Sequence, residues 1–165
     1  MVSEYRLREA NISDLDGLFS IYMDESVNRF LNFELMDKTK FKYLLLDLFV
    51  SGQLLIFEND KQILATCLVT RQKRRSNHVA TLGTLATHPQ FQGQGIGTQF
   101  MKALFEKLKD NGIKRVELYV EADNPNAQQF YKKLGFQHEG ILKKYFKRPY
   151  ENHYVDEYIM ALMLE

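Results

Sequence analysis

The chain has 165 residues, 45% of them apolar and 26% charged, and a formal net charge of +1. That length and balance suit one folded domain with a sizeable core and exclude disorder, and the near-zero net charge argues against a surface given over to nucleic acid. A single cysteine rules out an internal disulfide, four scattered histidines (His78, His88, His138, His153) lack zinc-ligand spacing, and no run reaches the ~20 apolar residues that cross a bilayer.

The start, Met1-Val2-Ser3-Glu4-Tyr5-Arg6, is polar and lacks the apolar core of a signal peptide, so a cytoplasmic location is expected. Tyr5 to Arg8 alternates as a short first strand. Asn11-Ile12-Ser13-Asp14 then offers capping oxygens to a helix carrying Leu15, Leu18, Phe19 and Tyr22 at helical spacing. A second helix is predicted from about Lys38 to Val50, with Phe41, Leu44, Leu45, Leu48 and Phe49 on its apolar face and Ser51-Gly52 as its stop. Leu54 to Phe57 and Ile63 to Val69, joined by Glu58-Asn59-Asp60-Lys61, read as a hairpin. Cys67, flanked by Leu64, Ala65, Leu68 and Val69, reads as a buried small hydrophobe rather than a reactive thiol. Arg71 to Asn77 is a basic loop, and His78 to Thr87 is a further strand ended by His88-Pro89.

Gly95 or Gly97 opens a helix to about Asn111, on which Ile96, Phe100, Leu104 and Leu108 step by four, with Met101 and Phe105 beside them. Asn111-Gly112 stops it, and Val116 to Val120 is the next strand. Asn124-Pro125-Asn126 begins another helix whose Ala127, Phe130, Tyr131 and Leu134 share a face, and Gly135 ends it. Strands around Phe136 to Phe146 and Tyr154 to Leu164 close the chain. The central strand–helix–strand–helix order implies a parallel pairing within a mixed sheet.

Three of the glycines stand in Gln92-Gly93-Gln94-Gly95-Ile96-Gly97-Thr98, between a strand and a helix. The first turn of a helix leaves its N–H groups unpaired and partly positive, and glycine lets an anion approach without meeting a Cβ. The stretch is therefore a candidate phosphate cradle, with a purely structural turn as the alternative. A Walker A loop would need a lysine before Thr98, and the spacing of Gly93, Gly95 and Gly97 is not that of a dinucleotide fingerprint.

The segment Gln92-Gly93-Gln94-Gly95-Ile96-Gly97 resembles the acetyl-CoA signature of the GCN5-related N-acetyltransferases. Asn124-x-x-Ala127-x-x-Phe130-Tyr131-Lys132-Lys133-Leu134-Gly135-Phe136 is similar to the second signature of that family, and the element order matches over nearly the whole chain. The tail, through Glu139-Gly140, Lys143-Lys144-Tyr145 and Tyr154-x-Asp156-x-Tyr158-x-Met160, resembles a branch acting on free amino acids, other small amines or ribosomal-protein N-termini. The resemblance implies one N-acetyltransferase domain over residues 1–165. Its fold would be of the α/β (α+β) kind, with a mixed central β-sheet of about seven strands, about four helices, and fourth and fifth strands that splay apart. It implies acetyl-CoA as cosubstrate and no metal. Leu85, Ala86, Thr87, Gln92, Gly93, Gln94, Gly95, Ile96, Gly97 and Thr98 would contact the cofactor, Asn124 would hydrogen-bond its pantetheine, and Tyr131 would sit by the thioester sulfur and protonate the leaving thiolate.

The implied reaction moves an acetyl group to a neutral amine, with a backbone N–H near Leu85 stabilising the oxyanion. Many relatives place a glutamate on the fourth strand, but here that place falls near Leu82, and Val79 to Thr87 holds no carboxylate. Glu121, Glu117 and His78 are candidate substitutes, each of which also reads as a plain surface or capping residue, so none is assigned as the base; an α-amine that is already partly neutral can do without a dedicated one. The expected partner is a small amine or amino acid, with no nucleic acid and no membrane, and a homodimer is compatible with the family. A protein N-terminal or lysine acetyltransferase, which a wider and more acidic cleft would favour, and a non-catalytic acyl-CoA-binding regulator remain alternatives. Arg71 to Arg75 reads as a solvated loop tip. Lys143 to Arg148 interleaves charge and aromatics and reads as an exposed strand or loop, with an acidic ligand or RNA as the alternative; because the resemblance places it near the acceptor site, Lys144 or Arg148 is a candidate partner for a substrate carboxylate. Acceptor contacts are expected from Asp24 to Met36 and the last strands; within the former, Phe30 to Phe33 reads as core packing, with pocket lining as the alternative.

Overall fold

The computed structural model describes residues 4–165, so Met1 to Ser3 of the polar start lie outside it. The chain runs β1 (Arg6–Glu9), α1 (Leu15–Tyr22), α2 (Glu25–Asn28), α3 (Lys38–Ser51), β2 (Gln53–Glu58), β3 (Ile63–Arg71), β4 (Val79–Thr87), α4 (Ile96–Asp110), β5 (Arg115–Glu121), α5 (Pro125–Lys133), β6 (Gln137–Phe146) and β7 (Val155–Met163). Local chemistry sets most of the boundaries. Asn11 and Asp14 form a capping box on a 3-10 turn that leads into α1, and Asp37 caps α3 by accepting from Lys40 N. Gly112 and Gly135 take the left-handed backbone that ends α4 and α5. The predicted strands and helices stand within a residue or two of these limits. The exception is α2, a single turn capped by Asp24, which is too short to show a period in the sequence.

The seven strands form one sheet in the order β1-β2-β3-β4-β5-β7-β6. All neighbours are antiparallel except β4 and β5. Helices cover both faces, so β2 and β3 are buried on both sides and read as continuous apolar runs. On one face α4 and α5 pack Phe100, Met101, Leu104 and Tyr131 over Leu55, Phe57, Cys67 and Val116. On the other, α1 and α3 pack Leu18, Tyr22, Phe41 and Leu45 over Leu54, Ile56 and Leu68. Cys67 is fully buried, and that burial pushes its thiol up to about 12, as expected of an inert core cysteine.

Candidate active site

The sheet opens at its one parallel pair. Strands β4 and β5 are in register only from Val79 with Arg115 to Leu82 with Leu118. Beyond that point Gly83 to Thr87 and Tyr119 to Glu121 diverge, and the facing backbone groups of β4 lose their sheet partners. A bulge in β4 accompanies the split. Thr66 faces Ala86 and Leu68 faces Gly83, so Thr84 and Leu85 together oppose Cys67. The extra residue reverses the alternation: Ala80 and Leu82 lie in one core, Ala86 in the other. Thr84 adopts a left-handed φ of 45°, which is strained for a β-branched residue. The fully buried Tyr22 holds it there. Its hydroxyl donates to the Thr84 carbonyl at 3.1 Å and lies 3.1 Å from Thr84 Oγ1 and 3.2 Å from Thr66 Oγ1.

The glycine loop closes the wide end of this wedge. Gly93 and Gly95 have φ of 72° and 80°, and a Cβ on either would point into open space. Gly97 is needed for a different reason: a Cβ there would stand 3.3 Å from Phe130 Cζ and 3.5 Å from Thr87 Oγ1, so it lets α4 approach α5. Gly95 is the N-cap of α4 and supplies no side-chain acceptor, so the first N–H groups of the helix are left for a ligand. The loop is shaped by its own amides: Gln92 Nε2 donates to the Thr87 carbonyl at 3.3 Å and Gln94 Nε2 to the Gln90 carbonyl at 2.9 Å.

Ten of the twelve residues implied as cofactor contacts line one cleft of about 1060 Å³: Leu85, Ala86 and Thr87 of β4, Gln92, Gly93, Gly95, Gly97 and Thr98 of the loop, and Asn124 and Tyr131 of the α5 segment. Gln94 and Ile96 do not line it; the first turns back to Gln90 and the second is buried in the core beneath the loop. Asn124 caps α5, its Oδ1 accepting from Ala127 N at 3.3 Å, and its amide nitrogen, the donor that remains, is shared with the Glu121 carboxyl. Tyr131 packs between Phe130 and Phe136, with ring centroids at 5.5 and 5.7 Å. Burial, reinforced by the nearby Cys67 and Glu121, pushes its phenol up, so it stays protonated.

Of the three substitute bases, only Glu121 reaches the cleft. Glu117 is held by Arg115 Nε and Nη2 at 3.1 and 3.0 Å and accepts from Thr81 Oγ1 at 3.3 Å. His78 is exposed before the start of β4, at the far end of the strand from the loop. Glu121 ends β5 and is directly opposite Glu157 of β7, and each is only 7% exposed. Burial is the main cause that lifts Glu121 to about 7, with the Glu157 charge adding to it; its own backbone, Asn124 and Arg148 partly offset the rise. Burial alone raises Glu157. Sequence reading missed Glu157, although a carboxylate at a buried step of the apolar strand Val155 to Met163 was the available signal.

Side chains from several elements wall the rest of the cleft: Phe30 and Leu31 after α2, Tyr119 of β5, and Tyr145 and Phe146 of β6. Tyr119 and Tyr145 stack at 6.1 Å. Phe33 instead packs edge-on against Tyr22 at 5.5 Å, so Phe30 to Phe33 is divided between pocket and core. Arg148 is not a free cation. It is 3% exposed; its Nε donates to the Arg29 carbonyl at 2.8 Å, and Nη1 and Nη2 donate to Asp123 at 2.8 and 3.1 Å. Nη1 also reaches Glu151 Oε2 at 3.1 Å, and the guanidinium lies over Phe30 and Phe146. The expected pairing of Arg148 with a substrate carboxylate is therefore corrected: its charge is spent in tying α2, the β5–α5 turn and the end of β6 together. Lys144 is exposed and outside the cleft lining, its backbone N–H bound to Asp156 at 2.8 Å.

A split parallel pair with an uncapped glycine-rich helix start at its mouth makes this an open α/β sheet with an anion-accepting cleft at the split. The chain belongs to the acetyltransferase (GNAT) family, whose model matches residues 15–136. It is 39% identical over 93 residues to the L-amino acid N-acetyltransferase AaaT of Escherichia coli K12, covering 55% of each chain. It is 38% identical over 85 residues to a ribosomal protein bS18-alanine N-acetyltransferase of Haemophilus ducreyi, covering 52% of this chain and 58% of that one. These matches thus span about half the length of the curated relatives. In structure it is similar to yncA of Salmonella typhimurium, solved with its cofactor acetyl-CoA, at a TM-score of 0.75 and 17% identity over 99% of this chain and 95% of that one. Among the described residues no helix is long and apolar enough to cross a membrane, and no group of three His, Cys, Asp or Glu side chains is set to hold a metal.

Proposed function

We propose that the chain is a single-domain, acetyl-CoA-dependent N-acetyltransferase acting on a primary amine. The observation that carries this reading is one cleft in which an uncapped glycine-rich helix start, a protonated tyrosine and a buried carboxyl group meet along a split in the sheet. The chain suits the cosubstrate: Gly93 and Gly95 leave the space above the loop open, and the N–H groups that open α4 are free for a diphosphate. The unpaired backbone of β4 from Gly83 to Thr87 offers donors and acceptors to an extended amide-bearing arm, and Asn124 a further donor.

Acetyl-CoA, when bound, supplies an activated acetyl thioester. The residues of the chain then divide the remaining work. Glu121, poised near neutral pH, takes a proton from the incoming ammonium. Backbone N–H groups of the β4 bulge stabilise the negative charge that develops on the carbonyl oxygen. Tyr131, kept protonated by burial, gives its proton to the departing sulfur as the N–C bond forms and the C–S bond breaks. The second proton lost by the nitrogen restores the Tyr131 hydroxyl. The presence of both groups in one cleft favours an enzyme over a non-catalytic acyl-CoA sensor. The relatives' names cover both free L-amino acids and a ribosomal-protein alanine, so the family leaves the acceptor open.

Thermal shift with acetyl-CoA, CoA, ATP and NAD side by side tests the reading. A ligand at 100 times its Kd stabilises the folded state by about 2.7 kcal/mol. A rise of several degrees with both CoA species and none with the other two is expected. No shift with either CoA species would overturn the reading.

A further inference from the structure

The acceptor end of the cleft has a one-sided charge inventory. Among the described residues that line the cleft there is no Lys, Arg or His, while Glu121 and Glu157 both face it. The cations of the neighbouring segment do not line it: Arg148 is buried in its contacts with Asp123 and Glu151, Lys143 pairs with Asp156 at 3.1 Å, Lys147 lies over the Tyr154 ring, and the Lys144 side chain stands outside the lining. Buried carboxyl groups are normally paired, because an unpaired charge is costly in a poorly solvated site. Glu157 is 93% removed from solvent by its 7% exposure, lines the cleft, and has no ion-pair or hydrogen-bond partner among the described residues. Opposed to Glu121 across β5 and β7, it gives this end of the cleft a local excess of negative charge that favours a cation. Around them stand Phe30, Phe146 and the stacked Tyr119 and Tyr145, surfaces that suit an apolar or aromatic body and the face of an ammonium.

We infer that the acceptor is a primary amine that enters as a cation on an apolar or aromatic body and carries no carboxylate beside the amine, with Glu157 receiving the ammonium beside Glu121. The inference rests on the acetyltransferase reading and narrows it. A free amino acid would bring its carboxylate towards two glutamates with no cation to meet it, and like charges juxtaposed in a desolvated site are strongly disfavoured. An amino-terminal residue of a peptide, whose carboxylate has become an amide, meets no such penalty, and neither does a simple amine.

The test is acetyl transfer to three matched acceptors, L-phenylalanine, L-phenylalaninamide and phenethylamine, followed as thiol release, with acetyl-CoA affinity measured separately by calorimetry. The expected result is a kcat/KM at least about tenfold higher for the amide and the amine than for the amino acid, since one like-charge contact outweighs the 1.4 kcal/mol that a factor of ten represents. Preference for the amide would point to a peptide N-terminus, and preference for phenethylamine to a small amine; either supports the inference. Glu157→Gln, nearly isosteric, should raise KM for the preferred acceptor about tenfold and leave the acetyl-CoA Kd within about twofold. Acetyl-CoA binding with equal rates on all three acceptors, including none, would overturn the inference while leaving the cofactor reading intact. So would an unchanged KM in Glu157→Gln. Failure to bind acetyl-CoA would overturn the acetyltransferase reading itself.

Discussion

At the glycine-loop end, the cleft is walled by backbone: the helix start at Gly95 to Thr98 and the unpaired edge of β4. At the other end it is walled by side chains from α2, β5, β6 and β7, fastened by one buried arginine. The difference has a physical consequence. Backbone donors are indifferent to most substitutions and respond only to added bulk or altered φ, so this end suits an invariant cosubstrate. The side-chain end changes its charge and shape with single replacements, so it suits a variable acceptor.

Substitutions should separate the two ends. The largest expected effect is at their junction: Tyr131→Phe should lower kcat by about 100-fold or more while leaving the acetyl-CoA Kd within about twofold, as for loss of a general acid. Single-turnover rates together with calorimetry check it. Gly95→Val, which puts a β-branched residue at a φ of 80° on the helix N-cap, should weaken acetyl-CoA by about tenfold or more and also destabilise the fold by about 1–2 kcal/mol. The ratio of acceptor KM values should not change, and if it does the two ends are not separable.

Glu121→Gln should act at the side-chain end and do so with a pH signature. The native carboxyl lies at about 7 against an ordinary 4.5, so as a base it must ionise, and wild-type kcat/KM should rise with pH through about 7. The variant should lose that limb. The same shift opposes folding. The native state favours the protonated acid, so the penalty is absent below about pH 4.5 and complete above about pH 7, where it is on the order of 3 kcal/mol. Glu121→Gln should therefore raise Tm at pH 8 and leave it nearly unchanged at pH 4, a stabilisation gained at the expense of activity. An equal rise at both pH values would mean that the carboxyl is not strained in the native state. The smallest effect is expected for Tyr22→Phe, which removes the hydroxyl bonds beneath Thr84: about 1–2 kcal/mol of stability, with a modest loss of kcat as the bulge relaxes. Chemical denaturation measures the first and steady-state rates the second.

The backbone end was largely legible in the sequence because its signals are local. Gly93, Gly95 and Gly97 stand together, Asn124 caps the helix that begins beside it, and Tyr131 falls on the apolar face of the same helix. The motif does not show that the side chains of Gln94 and Ile96 serve the loop and the core, so that any contact from these two comes from the backbone. The acceptor end was mostly hidden because it depends on long-range pairing. Nothing near Glu157 announces that β7 sets it opposite Glu121, and α2 is too brief to show a period. Arg148 was misjudged because a run of alternating cations and aromatics says nothing about which cation is buried; its partners lie as far away as Arg29 and Asp123. The bulge was equally silent, since its left-handed residue is a threonine rather than a glycine.

The most direct test of the account is mass spectrometry of L-phenylalaninamide incubated with acetyl-CoA and either the wild-type protein or Tyr131→Phe. The account predicts N-acetyl-phenylalaninamide formed stoichiometrically with free CoA thiol by the wild type, and product formation reduced by two orders of magnitude, about 100-fold, by the variant. Acetyl-CoA binding by the wild type with no acetylated amine formed, or equal product from both proteins, would contradict it.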